Sequence, residues 1–424
     1  MDISKFKDLI QRLSFLGNYS SLILPVIIIL VAVLLFIPTQ LMSSKLKKRV
    51  ENESISIGKR VQSLSESTVS RNQWEVEREY QQAYERDANQ TALLAKQSSQ
   101  RPLLSYKIFP KPKDTSTLIF QEFGQRFRGR IDKLIAQANA LDCPTDAELQ
   151  RGLQGSSLPS SRDWSMEKGR SDMRLSEVDA TITDVLCREK AKCASVYANP
   201  ADLSGYEFWE EYEYTGMDTA VEDCWYWQLA YWIIEDIFDT IDALNSGSNS
   251  VFTSPVKRLL DVSFAASDKG AGGKVAAVRP SYVLSIEEAL TEPHTGRFCN
   301  DDIDVVHFNI AVVVSTKAVL PFMQQLCSAK QHKFRGFSGE EQEQVFKHNQ
   351  ITVLESNIRS IDREDTTHNL YRYGEDAVVV LDLICEYIFN KNGYDEIKPE
   401  SVKELLKKVK EQAEGQVVQD TVNE

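Results

Sequence analysis

The chain is short of chemistry held at fixed spacing. Its five histidines, His294, His307, His332, His348 and His368, form neither an HExxH motif nor a close pair, and no CxxC occurs, so neither a zinc site nor a redox dithiol is specified. The seven cysteines, Cys143, Cys187, Cys193, Cys224, Cys299, Cys327 and Cys385, are odd in number and scattered, which is not the pattern of a disulfide framework. Cys187 and Cys193 lie six apart near a helix end and make no zinc knuckle. Lys269 to Val275 (KGAGGKV) has no glycine five residues before Gly273 and puts Val275 where a phosphate loop needs Ser or Thr, so it reads as a positive-φ turn. Gly336 to Gly339 (GFSG) is one residue off a nucleophile elbow and lies in a polar stretch, not after a strand. The expectation is no catalytic residue, no metal, no cofactor and no enzymatic activity.

Basic charge is also scarce. With 49 Lys and Arg against 62 Asp and Glu, the net charge of −13 argues against a phosphate backbone as partner, so no nucleic acid is expected. The shortage is local, because residues 201 to 250 hold twelve acidic residues and no basic one. This window lacks the alternating oxygen ligands and the glycine of a calcium loop, and reads as a solvated acidic helix face.

Charge of either sign is missing from Leu13 to Ser44. Residues 17 to 44, with the core LILPVIIILVAVLLFIPTQLM from Leu22 to Met42, are long enough at ~1.5 Å per residue to cross a hydrocarbon layer of ~30 Å. A cleaved signal peptide fits poorly, since the apolar core is too long and no small-x-small site follows Met42. Pro25 and Pro38 sit near the two ends, where a missing donor is tolerated best. Residues 1 to 16 form a short tail. Lys45, Lys47, Lys48, Arg49, Lys59 and Arg60 outnumber Lys5, Lys7 and Arg12 across the segment, and by the positive-inside rule would leave the C-terminal part in the cytoplasm.

Residues 45 to 97 read as a helical stalk. Leu46, Val50, Ile57, Val61 and Leu64 recur at intervals of three, four and seven, a thin apolar seam for a coiled-coil partner. A second helical stretch follows from Trp74 to about Gln97. Residues 98 to 215 hold a Pro-rich connector, a helix from Thr115 or Ser116 to Cys143 with Ile119, Phe123, Phe127, Ile131 and Leu134 on one face, a Gly/Ser-rich excursion, and a helix from Met173 to Ser195 with Val178, Ile182, Val185 and Leu186 inward.

Residues 216 to 390 carry the core. Asp218 to Leu244 is helical in period, with Val221, Trp225, Leu229, Trp232, Ile233, Ile237 and Ile241 on one face and Glu235, Asp239 and Asp242 opposite. The period then shortens to 2, giving strands Val256 to Ala266, Ser281 to Ile286 and Asp304 to Ser315. A helix Lys317 to Gln331, a polar loop, and strands Ile351 to Asp362 and Ala377 to Ile388 complete it. Residues 391 to 424 are a charged tail, with Ser401 to Gln412 helical.

Reduced to elements, the soluble part runs helix, strand, strand, twice over. With HFNIAVVVSTKA leading into VLPFMQQLC and then ITVLESNIRSID and AVVVLDLICEYI, it resembles the PilN/PilO family, the inner-membrane alignment proteins of type IV pili and type II secretion. The resemblance implies an α+β protein with one transmembrane helix, a coiled-coil stalk and a C-terminal ferredoxin-like domain. It implies a single-pass protein of the bacterial inner membrane with a periplasmic domain, a structural role, and as partners related single-span membrane proteins, a second copy, or other pilus and secretion components. The length, the insertion at 145 to 215 and the flanking charges depart from the family. A single-span sensor or adaptor with a ligand- or partner-binding domain is the alternative.

Overall fold

The computed structural model describes residues 20–67, 71–114, 116–155, 168–265, 278–292 and 295–407. The tail of residues 1–16, the KGAGGKV stretch, His294 and the end of the charged C-terminus lie outside them. The protein is α+β and divides into two units, Met1–Asp87 and Ala88–Glu424.

The first unit is helical. Helix α1 (Ser20–Arg49) is followed without a break by a π-helical turn (Val50–Ile55) and α2 (Ser56–Ser67), and α3 (Arg71–Ser98) begins in this unit and ends in the next. Among the described residues one helix is long and apolar enough to cross a membrane, Ile27–Ser65, 39 residues with none of its most apolar window buried. Pro25 and Pro38 are both inside α1. Two hydroxyls in and just after the apolar run turn back to the helix: Thr39 Oγ1 donates to the Leu35 carbonyl at 2.5 Å and Ser44 Oγ to that of Leu41 at 3.0 Å, the local satisfaction an apolar surrounding demands.

The second unit is built on a mixed sheet of six strands, β1 (Ala140–Leu141), β2 (Val196–Tyr197), β3 (Val256–Ser263), β4 (Ile303–Ser315), β7 (Ile351–Ser360) and β8 (Val378–Asn390), in the spatial order β1-β2-β3-β4-β8-β7. The pairs β1-β2 and β2-β3 are parallel and the rest antiparallel. One face is covered by α4 (Leu118–Gln137), α8 (Met217–Asn245) and α9 (Val319–Leu326), with α8 between the other two. The alternation of β4 sends Val306, Phe308, Ile310, Val312 and Val314 into this core, and β8 adds Leu381, Leu383, Cys385, Tyr387 and Phe389. The long alternating pair β4 and β8 stays in register over its full length, Ile303 opposite Asn390 to Ser315 opposite Val378, which fixes which residues face the helices.

The other elements are α5 (Asp146–Gly155), α6 (Lys168–Cys193), the single turn α7 (Tyr206–Glu210), a hairpin of β5 (Lys330–Phe334) and β6 (Gln344–His348), and the short α10 (Lys391–Tyr394); residues 400–407 are helical. The turn before α7 rests on Gly205, at φ +94°, where an added Cβ would lie 2.6 Å from the Trp227 ring.

Several elements differ from the expectation. Helix α4 stops at Gln137, not at Cys143, because Asn139 turns left-handed (φ 47°) and its amide donates to the Cys193 carbonyl and Ser195 Oγ, both at 3.2 Å. Ser281 to Ile286 makes one bridge, Tyr282 to Val306, and then a 3-10 turn in which Glu288 accepts from the backbone of Leu284 and Ser285. The helix expected to reach Gln331 ends at Leu326, where the Lys330 ammonium donates to the Leu326 carbonyl at 2.7 Å and the chain turns into β5. The polar loop that follows contains β6. On α6, Val185 is exposed and Cys187 and Ala191 are buried, while Val178 falls where no side chain is described.

Candidate functional site

Three places carry functional potential, one in the first unit and two in the second. In the first, the seam residues Leu46, Val50, Ile57, Val61 and Leu64 are all exposed, between 47 % and 64 %. They do not form one unbroken α-helical line. The turn Val50–Ile55 bonds at i→i+5, with Ser56 N–H reaching the Glu51 carbonyl. A π turn advances fewer degrees per residue than an α turn, so Ile57, Val61 and Leu64 are rotated about the axis relative to Leu46 and Val50. The seam is thus an upper pair and a lower triplet.

In the second unit, the spacing of the sequence did not reveal a polar centre buried where α8, β8, the β5–β6 hairpin and the connector after α3 converge. Asp236 of α8 is fully buried. Arg101, 1 % exposed, approaches it with Nη2 2.9 Å from Oδ1 and Nη1 3.0 Å from Oδ2, and reaches Glu235 Oε2 at 2.7 Å and the Tyr387 hydroxyl at 2.6 Å. Tyr387 lies 2.8 Å from both Asp236 Oδ2 and Gln350 Oε1, and Gln350 Nε2 donates to Ser99 Oγ at 3.1 Å. His348 Nε2 meets Asp236 Oδ2 at 2.9 Å, His332 Nδ1 lies 2.9 Å from His348 Nδ1, and His332 Nε2 lies 2.9 Å from the Gln100 carbonyl.

Burial opposes charge on Asp236, but Arg101 and His348 override it and hold the carboxyl well below its usual range. Burial likewise lowers Arg101, and Asp236, Tyr387 and Glu235 more than restore its charge. Burial pushes the Tyr387 hydroxyl up and the Lys330 ammonium down. The signal for this centre was present in the sequence: Asp236 stands four residues after Trp232 and three after Ile233, on the apolar face. Its partners were not legible, since Arg101 and His348 come from segments with no periodicity.

The third place is an open cleft of about 730 Å³ between α6 and the loop before β8, lined by Arg188, Arg363, Arg372, Asp184, Tyr371 and Asp376 among others. Its charges are largely matched: Arg372 Nε donates to Asp184 Oδ1 at 2.7 Å, Arg188 Nε to Asp184 Oδ2 at 2.6 Å, and Asp376 lies 3.3 Å from Lys257.

Of the remaining sequence candidates, Cys187 and Cys193 are free thiols, one buried and one exposed. Gly336 and Gly339 take positive φ in the β5–β6 turn, so the GFSG stretch is a hairpin connection. His307 pairs across strands with Glu386, which accepts from the Arg297 backbone at 2.8 Å and from its guanidinium; His368 Nδ1 lies 2.9 Å from the Tyr373 hydroxyl. Among the described residues no group of three metal-ligating side chains occurs.

No protein-family model and no curated relative matches the chain. Two solved structures from Akkermansia muciniphila are similar to it at low level. The crystal structure of a core domain aligns over 68 % of this chain and 94 % of its own, with 9 % identity and a TM-score of 0.26. A second crystal structure aligns over 65 % and 96 %, with 10 % identity and a TM-score of 0.23.

Proposed function

We propose that this chain is a membrane-anchored structural protein of a type IV pilus-like or type II secretion-like machine, working through helix pairing and domain contacts, without enzymatic activity. One observation carries the reading: a continuous apolar helix runs directly into a helical stretch whose apolar side chains, Leu46 to Leu64, this unit of the chain does not cover. A hydrocarbon layer suits the first part and a partner helix the second. The doubled unit α8-β3-β4 and α9-β7-β8, with spatial order β3-β4-β8-β7 and every neighbour antiparallel, supports a ferredoxin-like core extended by β1 and β2. This reading places the chain as a single span of a bacterial inner membrane with the second unit in the periplasm, beside a related single-span protein or a second copy.

Two experiments test it. Full-length protein should stay with membranes after carbonate washing, and a chain beginning at Gln73 should be soluble. Ile57→Cys should give a crosslinked dimer in native membranes, and replacing both Ile57 and Leu64 by Asn should abolish it while the second unit stays folded. If Ile57→Cys crosslinks to nothing, the structural reading fails. A sensor or adaptor is the second reading, favoured by the 730 Å³ cleft between α6 and the loop before β8.

A further inference from the structure

The hydrogen bonds of the buried centre count its protons. His332 Nε2 faces the Gln100 carbonyl, which only accepts, and His348 Nε2 faces the Asp236 carboxylate, which also accepts, so both Nε2 atoms carry hydrogen. The two Nδ1 atoms then face each other at 2.9 Å. Nitrogens at that distance make a hydrogen bond when one proton lies between them; without it, two lone pairs are opposed. Three protons on four ring nitrogens make the pair one cation.

We propose that His332 and His348 share a single proton, and that this proton clasps the β5–β6 hairpin to the residues by which the chain enters the second unit. Losing it leaves two protons for three bonds. The paired strands β5 and β6 keep the two Nδ1 atoms together, where two bare lone pairs would be opposed, and an unprotonated His348 Nε2 would oppose the Asp236 carboxylate; the bond given up is therefore the one from His332 to the neutral Gln100 carbonyl on a separate segment. Of the two bonds by which the histidine pair reaches outside the hairpin, only that to Asp236 is then left, and the one to the chain after α3 is lost.

The surroundings set the window. From α8 come Asp236, Glu235 and Asp239, from the connector Arg101, from β8 Tyr387, from β5 Lys330, and from the end of α9 Cys327. Burial and Arg101 lower His348, and Asp236, 2.9 Å from its Nε2, works against them, so a first proton is taken up next to that carboxylate. A second must enter a buried pair already charged and close to Arg101, and burial with Arg101 holds the His332 ring down to about 4. The clasp is therefore closed while the pair carries one proton and opens on either side. It does not depend on which partner the chain has.

Hydrogen exchange of the full-length protein in detergent micelles, read on peptides covering 99–104 and 330–348 and corrected for intrinsic rates, tests this at pH 5.5 and 8.5. The expected result is roughly tenfold greater protection of both segments at pH 5.5, the change in an equilibrium made by one charge-assisted hydrogen bond. Peptides from β4 and β8 should not change. His332→Gln donates an amide hydrogen to Gln100 without titrating and should remove the pH dependence. Equal wild-type protection at both pH values overturns the proposal, as does an undiminished pH dependence in His332→Gln with β4 and β8 still protected. If that variant does not fold, the wild-type ratio decides.

Discussion

Arg101 and Asp236 are 135 positions apart in the chain and meet with 2.9 Å between guanidinium and carboxylate, both removed from water. Such a pair gains little net stability, because desolvation offsets attraction, but either member left alone is costly. Arg101→Met should therefore destabilise the fold by ~3–5 kcal/mol in urea titration, and Arg101→Met combined with Asp236→Leu should cost less than Arg101→Met alone. Additive losses in the double variant would mean that the two do not compensate each other. The folded carboxyl of Asp236 is held below its unfolded value, so its contribution is full above the unfolded pKa and is lost only as strong acid takes the pH down through the folded value.

Trp232 is fully buried, and its Nε1 donates to the Pro102 carbonyl at 2.9 Å. Trp232→Ala should cost ~3–5 kcal/mol from the cavity and the orphaned carbonyl. Trp232→Phe keeps most of the packing and should cost clearly less, as read by the midpoint of chemical denaturation. A small effect of the alanine would mean that α8 does not anchor the connector.

On the same helix Asp239 reaches solvent, and the partial burial of its carboxyl, then Asp236 and Glu235, raise it to about 6. A folded pKa above the unfolded one makes ionisation unfavourable to the fold, so this penalty is absent in acid and complete above about pH 6. Asp239→Asn should raise the melting temperature slightly at pH 8 and leave it unchanged at pH 4. The same shift at both pH values would remove the electrostatic cause.

Gly205 has φ +94°, and a Cβ there would lie 2.6 Å from Trp227 and 3.0 Å from Phe127. Gly205→Ala combines left-handed strain with overpacking against two buried rings and should cost roughly 2–4 kcal/mol. Gly247 is also left-handed but opens to free space, so Gly247→Ala should cost only the backbone part, roughly 1 kcal/mol. Equal losses would show that the rings move aside freely.

The sequence by itself determined the elements whose environment is uniform along their length. The apolar run of α1 needs no neighbour to be a helix. The alternation in β4 and β8 places their apolar residues on one side whatever covers them, and the period of α8 announces Trp225 and Trp232 as buried, though not Trp227. Only the tertiary structure decided the rest. Beyond that apolar face, α8 is buried nearly all round because α4, α9, the sheet and the connector enclose it, so Gln228 and Asp236 are interior while Asp239 is not. The strands β1, β2, β5 and β6 are two to five residues long, too short for a period to show, and exist because a neighbour offers its backbone. The buried centre draws Arg101, Asp236, His332, His348 and Tyr387 from five separate segments. A charge is tolerated inside a protein only when its partner arrives with it, and which residues arrive together is a property of the packed chain, not of any window along it.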